Sequence, residues 1–275
     1  MLNTGVNIIK DKNGLQYVQF KNLLKYKGQM VHCFTTRTGG VSSGECASLN
    51  LGFNKNDSRE NVMENFRRVC NALDIDPGNL VFSNQVHDNK VRVVNEEDRG
   101  KGIIRESDII GYDGLVTGSK NVALVTFYAD CVPVLLYDDE KRVIASAHSG
   151  WRGTVKKIAA KAVEKMVDAF GCDPGRIEAV IGPSIGGCCF EVGEEVYREF
   201  EKNVEYSTGC CVKTGVGKWH INLQEIIKKT LVNSGLKEDR IVLSKICTKC
   251  NRDMFFSHRG DNGKTGSLAA IMMLR

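Results

Sequence analysis

Two of the five histidines in this 275-residue chain stand where strand-like runs end: His87 in SNQVHDNKV and His148 in RVIASAHSGWRGT. Cys131 stands in the same kind of place, after the apolar run VALVTFYA, in ADCVPV. Two imidazoles and a thiolate, separated by 44 and 17 positions, match a catalytic zinc site with three protein ligands and an open fourth position; structural zinc sites use closely paired ligands. The same residue types would serve a Cys131 nucleophile with His87 or His148 as its base. Spacing does not separate these chemistries. Each residue also has a plain structural reading, since strand-end histidines often only meet solvent or a hydrogen-bond partner and free cysteine is among the most buried residue types.

The surroundings of these residues add to the chemistry. Alternation along RVIASAH puts His148 on the face opposite Val143, Ala145 and Ala147. The following turn, SGWRG, feeds a helix whose first N–H groups and dipole favour an anion, with Arg152 beside them. Arg37, in the loop TTRTGG, is a second candidate anion contact, and Asn50 and Gln85 are candidate polar contacts for a substrate. Asp130 precedes Cys131 and would need a partner if buried. The glycine-rich GPSIGGCCFEVG lacks the GK[ST] ending of a phosphate-binding loop. Cys247 and Cys250, in CTKC, form half of a zinc knuckle with no second pair in the chain, so two reduced thiols and no structural metal are expected there.

These residues require a frame of strands and helices. Strand signals lie at LQYVQF, QMVHCFTT, LVFSNQV, KVRVV, GLVTG, VALVTFYA, PVLLYD, RVIASAH, RIEAVI, RIVLS and SLAAIMML. Helices are expected over residues 58 to 73, after a capping box from Asp57 to Glu60, and over 154 to 170, where Val155, Ile158, Ala159, Ala162, Val163, Met166 and Phe170 make one stripe. Two more are expected near 193 to 203 and 222 to 234. Consecutive strands stand too close for crossover helices, which points to an α+β or layered α/β fold over a doubly wound parallel sheet.

Composition narrows the function classes. The formal charge of +5 is spread along the chain without a run of five basic residues, so no nucleic-acid groove is indicated. The N-terminal stretch has no basic and apolar leader pattern, and the most apolar later stretch carries Asp130 and Pro133, so neither export nor a membrane partner is expected. Eleven cysteines, two pairs of them adjacent, suit reduced thiols in a cytoplasm.

The blocks VHCFTTRTGGVSSGECASLNLG, NQVHDNKV, DGLVT, ADCVPVLLYD, AHSGWRGT, GPSIGGCCFEVG and CTKCNRDMFFSHRGDNGKTGSLAAIMML run in that order over residues 31 to 274. They resemble the signature blocks of the YfiH/YlmD-like family, labelled multicopper polyphenol oxidoreductase or laccase domain. The resemblance implies one domain over residues 1 to 275, folded as a layered α/β/β/α sandwich with mixed sheets similar to the deamidase domain of cytotoxic necrotizing factor toxins. It implies zinc held by His87, Cys131 and His148, which would also be the catalytic residues. The implied activities are purine nucleoside phosphorylase, on inosine, guanosine, adenosine or methylthioadenosine, and adenosine deaminase. Partners are then a purine nucleoside and phosphate, in a monomer or weak homo-oligomer. The family label makes copper the alternative ion and a polyphenol oxidase the alternative enzyme; a zinc or cysteine hydrolase acting on a muropeptide-like substrate is another. A four-copper laccase centre is built mainly from histidines, commonly in His-x-His pairs, and five histidines with no such pair cannot build it within one chain. A single blue-copper site, with two histidines, a cysteine and a distant methionine, uses donor types that are present.

Overall fold

The computed structural model describes residues 5–11 and 14–275. Its strands begin with β1 (Val6–Lys10), β2 (Gln16–Phe20), β3 (Met30–Thr35), β4 (Leu80–Phe82) and β5 (Val91–Val93). They continue with β6 (Gly114–Thr117), β7 (Ala123–Tyr128), β8 (Val132–Asp138), β9 (Val143–Ser149) and β10 (Glu178–Ile181). The last are β11 (Glu191–Gly193), β12 (Cys211–Gly215), β13 (Lys218–Ile221), β14 (Ile241–Leu243) and β15 (Leu268–Leu274). The helices are α1 (Lys21–Leu24), α2 (Arg59–Leu73), α3 (Trp151–Val155), α4 (Ile158–Phe170), α5 (Glu194–Asn203) and α6 (Leu223–Asn233).

Two six-stranded sheets carry the fold, ordered β1-β2-β3-β15-β7-β4 and β14-β10-β8-β9-β6-β5, with a small third sheet β11-β13-β12. Both large sheets are mixed: β4 with β7, β5 with β6 and β10 with β14 run parallel, and their other pairs antiparallel. Strand alternation explains the layers. Leu124, Ala270 and Met272 of the first sheet meet Leu115, Leu135 and Ile144 of the second in one apolar layer. Val125, Ile271 and Met273 point the other way, onto Val62, Phe66 and Val69 of α2. Val143, Ala145 and Ala147 pack against Ile158, Ala162 and Met166 of α4 and the apolar side of α6. The result is the expected α/β/β/α sandwich, and strands covered on both faces, such as fully buried β8, read as unbroken apolar runs for that reason.

Three local expectations need correction. The single helix expected over 154 to 170 is two, α3 and α4, because Lys157 adopts a left-handed φ of 58° between them; the apolar stripe continues in phase across the break and so does not reveal it. The N-cap of α2 is Ser58, whose side chain accepts from the Asn61 N–H, and no capping box is centred on Asp57. Asp57 instead accepts from the Ser58 amide, Asn61, Ser42 and Asn50. The cysteines of CTKC are not isolated either, since the adjacent pair Cys188 and Cys189 folds onto them. All eleven cysteines are free, and no helix among the described residues is long and apolar enough to cross a membrane.

A left-handed non-glycine residue costs roughly 1–2 kcal/mol of steric strain, partly offset for glycine by its unfolded-state entropy. Lys157→Gly is therefore expected to be neutral or stabilising by up to about 1 kcal/mol in denaturant unfolding, whereas Lys157→Val is expected to destabilise by about 1–2 kcal/mol.

Candidate metal centre

His87 lies in the loop that leaves β4, with a φ of 61°. That loop closes around one carboxylate: Asp113, at zero exposure just before β6, accepts from the backbone N–H groups of Val86 at 2.9 Å, His87 at 2.9 Å and Asp88 at 3.0 Å. The same carboxylate bonds His148 Nδ1 at 2.8 Å. The Asp113 carbonyl also accepts from the His148 amide at 2.7 Å. With Nδ1 so engaged, the other ring nitrogen of His148 is left for a ligand, which is how metal-binding histidines are oriented.

Cys131 opens onto the same point from the start of β8. Its Sγ is 3.8 Å from His87 Nε2, the two imidazole rings meet edge to face at 4.9 Å, and one donor atom from each of the three residues lies within 4.8 Å of the others. Asp130, before the cysteine, has a φ of 84°. The partners it required are Thr248 Oγ1, donating at 2.6 Å, and the Arg259 amide at 2.7 Å; its carbonyl accepts from Ile185. Gly150, the N-cap of α3, completes the enclosure: a Cβ there would stand 2.7 Å from the His87 ring and 3.1 Å from Cys131 Sγ.

The electrostatics favour charge on Cys131, His148 and Asp113. Burial opposes the Cys131 thiolate, but the His148 and His87 imidazoles outweigh it and bring the thiol down to about 6. Burial likewise opposes the His148 imidazolium, and Cys131 with Asp113 lifts it to about 9. Asp113 follows the same logic: desolvation is overcome by His148 and the loop amides, holding the carboxyl below its usual range.

His87, Cys131 and His148 stand in the wall of a cavity of about 590 Å³. Phe53, Phe82 and Phe127 give it aromatic sides; Asn84, Gln85, Lys55 and His258 supply polar ones. Gln85 is tied on both ends of its amide to the Phe127 backbone, at 2.7 and 2.9 Å. Arg37, Asn50 and Arg152 are not among the lining residues. Arg37 donates to the Ala47 and Arg252 carbonyls and stacks on Phe256. Buried Asn50 accepts from the Gly52 and Ser267 amides, both of residues that line the cavity. The Arg152 guanidinium lies over the Trp151 ring.

Asp113, Lys55 and His258 were not singled out from sequence. The signals for Asp113 are an acidic residue directly before the apolar strand GLVT and its place in the motif block DGLVT. Nothing in the chain order ties Lys55 or His258 to His87.

Two outcomes test the centre. If the three donors hold an ion, Asp113→Asn is expected to weaken its binding about 10- to 100-fold in competition with a chromophoric chelator, the usual effect of removing a carboxylate that orients a ligating imidazole. Cys131 is expected to alkylate slowly in zinc-loaded protein and much faster after chelation, since a metal-held thiolate is shielded; rapid alkylation of the loaded protein would remove Cys131 from the ligand set.

A model of the family described as multi-copper polyphenol oxidoreductase laccase matches residues 31–275. The purine nucleoside phosphorylase YlmD of Bacillus subtilis is 36% identical over 249 residues, covering 90% of this chain and 89% of that protein. Adenosine deaminase RL5, from an unknown prokaryotic organism, is 35% identical over 232 residues, covering 83% of this chain and 88% of its own. The crystal structure of Bacillus licheniformis YfiH superposes with a TM-score of 0.91 at 32% identity, covering 98% of this chain and 99% of that one. With its layered sheets, its motif order and these relatives, the chain belongs to the YfiH/YlmD family described as multi-copper polyphenol oxidoreductase laccase.

Proposed function

We propose that the protein is a zinc-dependent purine nucleoside phosphorylase that also deaminates adenosine. One observation carries the reading: the His87, Cys131 and His148 donors converge in the wall of a nucleoside-sized cavity lined by phenylalanine rings, amides and two nitrogen-bearing side chains, Lys55 and His258. The names of the relatives from Bacillus subtilis and the unknown prokaryote support it. Two imidazoles and a thiolate suit zinc, and the Asp113 bond to His148 is the support a ligating imidazole needs. When bound, zinc supplies a Lewis acid at the reacting end of the cavity.

The remaining work falls to the chain. The purine lies against Phe53, Phe82 and Phe127, with Asn84 and the free amide hydrogen of Gln85 at its edge. Lys55 and His258 hold phosphate so that one of its oxygens bonds C1′ as the C1′–N9 bond breaks. The bonding pair leaves on the purine, which takes up the proton lost by phosphate. Asn50 acts through Gly52 and Ser267, by fixing the rim they form. The eleven free thiols suit a reducing compartment, the cytoplasm.

Copper-dependent phenol oxidation is the competing reading, favoured by the family description. A blue-copper site adds a weak axial ligand, commonly methionine, and no methionine is among the cavity's lining residues.

Anaerobic incubation of inosine with zinc-loaded protein is expected to give hypoxanthine and ribose 1-phosphate only when phosphate is present. His148→Ala should lower kcat/KM by about 100-fold or more. Lys55→Ala should raise the phosphate KM about tenfold, the loss of roughly 1.4 kcal/mol, with a smaller effect on inosine; an equal rise confined to Arg37→Ala or Arg152→Ala would move the phosphate contact to that arginine. Turnover that requires oxygen and ignores phosphate would overturn the phosphorylase reading.

A further inference from the structure

Outside this cavity, the four cysteines Cys188, Cys189, Cys247 and Cys250 converge, with all their Sγ atoms within 4.8 Å of one another. We infer that they form a second metal centre, a closed four-thiolate zinc site. The Sγ atoms of Cys188 and Cys189 are 3.8 Å apart, those of Cys188 and Cys250 3.7 Å, and those of Cys189 and Cys250 3.4 Å. A tetrahedral zinc with Zn–S bonds of about 2.3 Å separates its sulfurs by about 3.8 Å. A disulfide would need its sulfurs at about 2.05 Å, and an iron–sulfur cluster would have to spread its four cysteines around a multi-atom core. The spacing is that of a cage for one ion. Four thiolates select a soft or borderline ion, and a closed four-sulfur set is the structural zinc type.

The cage is held in shape by the backbone around it. The Cys247 Sγ accepts from the Gly186 N–H at 3.2 Å, a bond suited to a thiolate. A Cβ on Gly186 would come within 3.1 Å of Cys247 Cβ and 3.2 Å of Cys188 Sγ, so the glycine leaves room for the sulfurs. The two cysteine-bearing segments are paired: Ser184 and Cys247 form a β-bridge, with the Ser184 amide donating to Ile246 and the Thr248 amide to Ser184. The ends of Cys247-x-x-Cys250 are drawn together by Asn251, whose amide side chain donates to the Cys247 carbonyl at 2.8 Å. Cys247 is buried and Cys188 and Cys250 are exposed, so the site has a solvent path for the ion. Thr248, between the two CTKC cysteines, holds the Asp130 carboxylate. A metal here would therefore brace the residue that precedes Cys131.

The test is zinc stoichiometry in the full chain, equilibrated with zinc and stripped of loosely held ion on a chelating resin. The variant His87→Ala/His148→Ala, which lacks the first donor set, is expected to retain one zinc per chain; Cys188→Ser/Cys250→Ser is expected to lose that ion. Cobalt loading of the histidine variant should give the strong thiolate-to-cobalt charge-transfer absorption and tetrahedral visible bands of a four-sulfur site. If the cysteine variant does not fold, the histidine variant and wild-type alkylation rates decide. A folded histidine variant that binds no zinc would overturn the site. So would zinc-equilibrated protein in which Cys188 and Cys250 alkylate as fast as after chelation, or are joined to another cysteine as a disulfide by mass. None of these readouts depends on nucleoside turnover.

Discussion

The Asp113 carboxylate is the constraint on which the candidate site depends. Removing a carboxylate from water is costly unless hydrogen bonds fill its lone pairs. Asp113 has about four such positions, and the amides of Val86, His87 and Asp88 with the ring of His148 take them. The donors come from different sheets: the loop belongs to the end of β4 in the first sheet, and His148 to β9 in the second. One buried anion thus registers the two sheets against each other at the point where the imidazoles meet. Without a metal, Cys131 and this anion together favour positive charge on His148; the anion also fixes the orientation of the ring, which is the property a metal ion would use on the neutral imidazole.

Around that anchor the chain accepts backbone geometries that are unfavourable alone. His87 and Asp130, which flank or form the donor set, both have positive φ. Such residues persist where the surroundings over-determine them. For His87 the fixing contact is its amide on Asp113; for Asp130 it is a carbonyl held by Ile185 and a carboxylate held by Thr248 and Arg259. Gly150 allows the third element, the start of α3, to approach both His87 and Cys131 more closely than any side chain would permit. The four-cysteine cage belongs to the same system of supports, because its backbone segment carries Thr248.

The family description and the site differ in what they demand. A multicopper centre needs many histidines, and here two histidines and one cysteine converge as a set sized for a single ion. The cavity beside that set combines aromatic walls with amides, the Lys55 ammonium and the His258 ring. Those are the features that hold a flat, polar-edged ring and an anion.

Much of the fold was legible because periodicity reports burial. Strands such as β8 and β15 are largely apolar runs, so an α+β or layered α/β fold followed from element order, while the α/β/β/α sandwich came with the motif blocks. The same signal could not see Lys157, because a single left-handed residue leaves the stripe in phase. The exposed strand β12, with four of its five residues open to solvent, carries no burial pattern to read. Residue types made His87, Cys131 and His148 candidates, since few side chains bind metal or act as nucleophile and base, and the motif blocks around them tied the three together. Only the tertiary structure decided that Asp113 ties them together, that Arg37 and Arg152 turn to carbonyls and to Trp151, and that Cys188 and Cys189 complete the Cys247 and Cys250 pair. Each of those outcomes is a contact between segments far apart in the chain, and it is the packing of the two sheets, not any local pattern, that sets such distances.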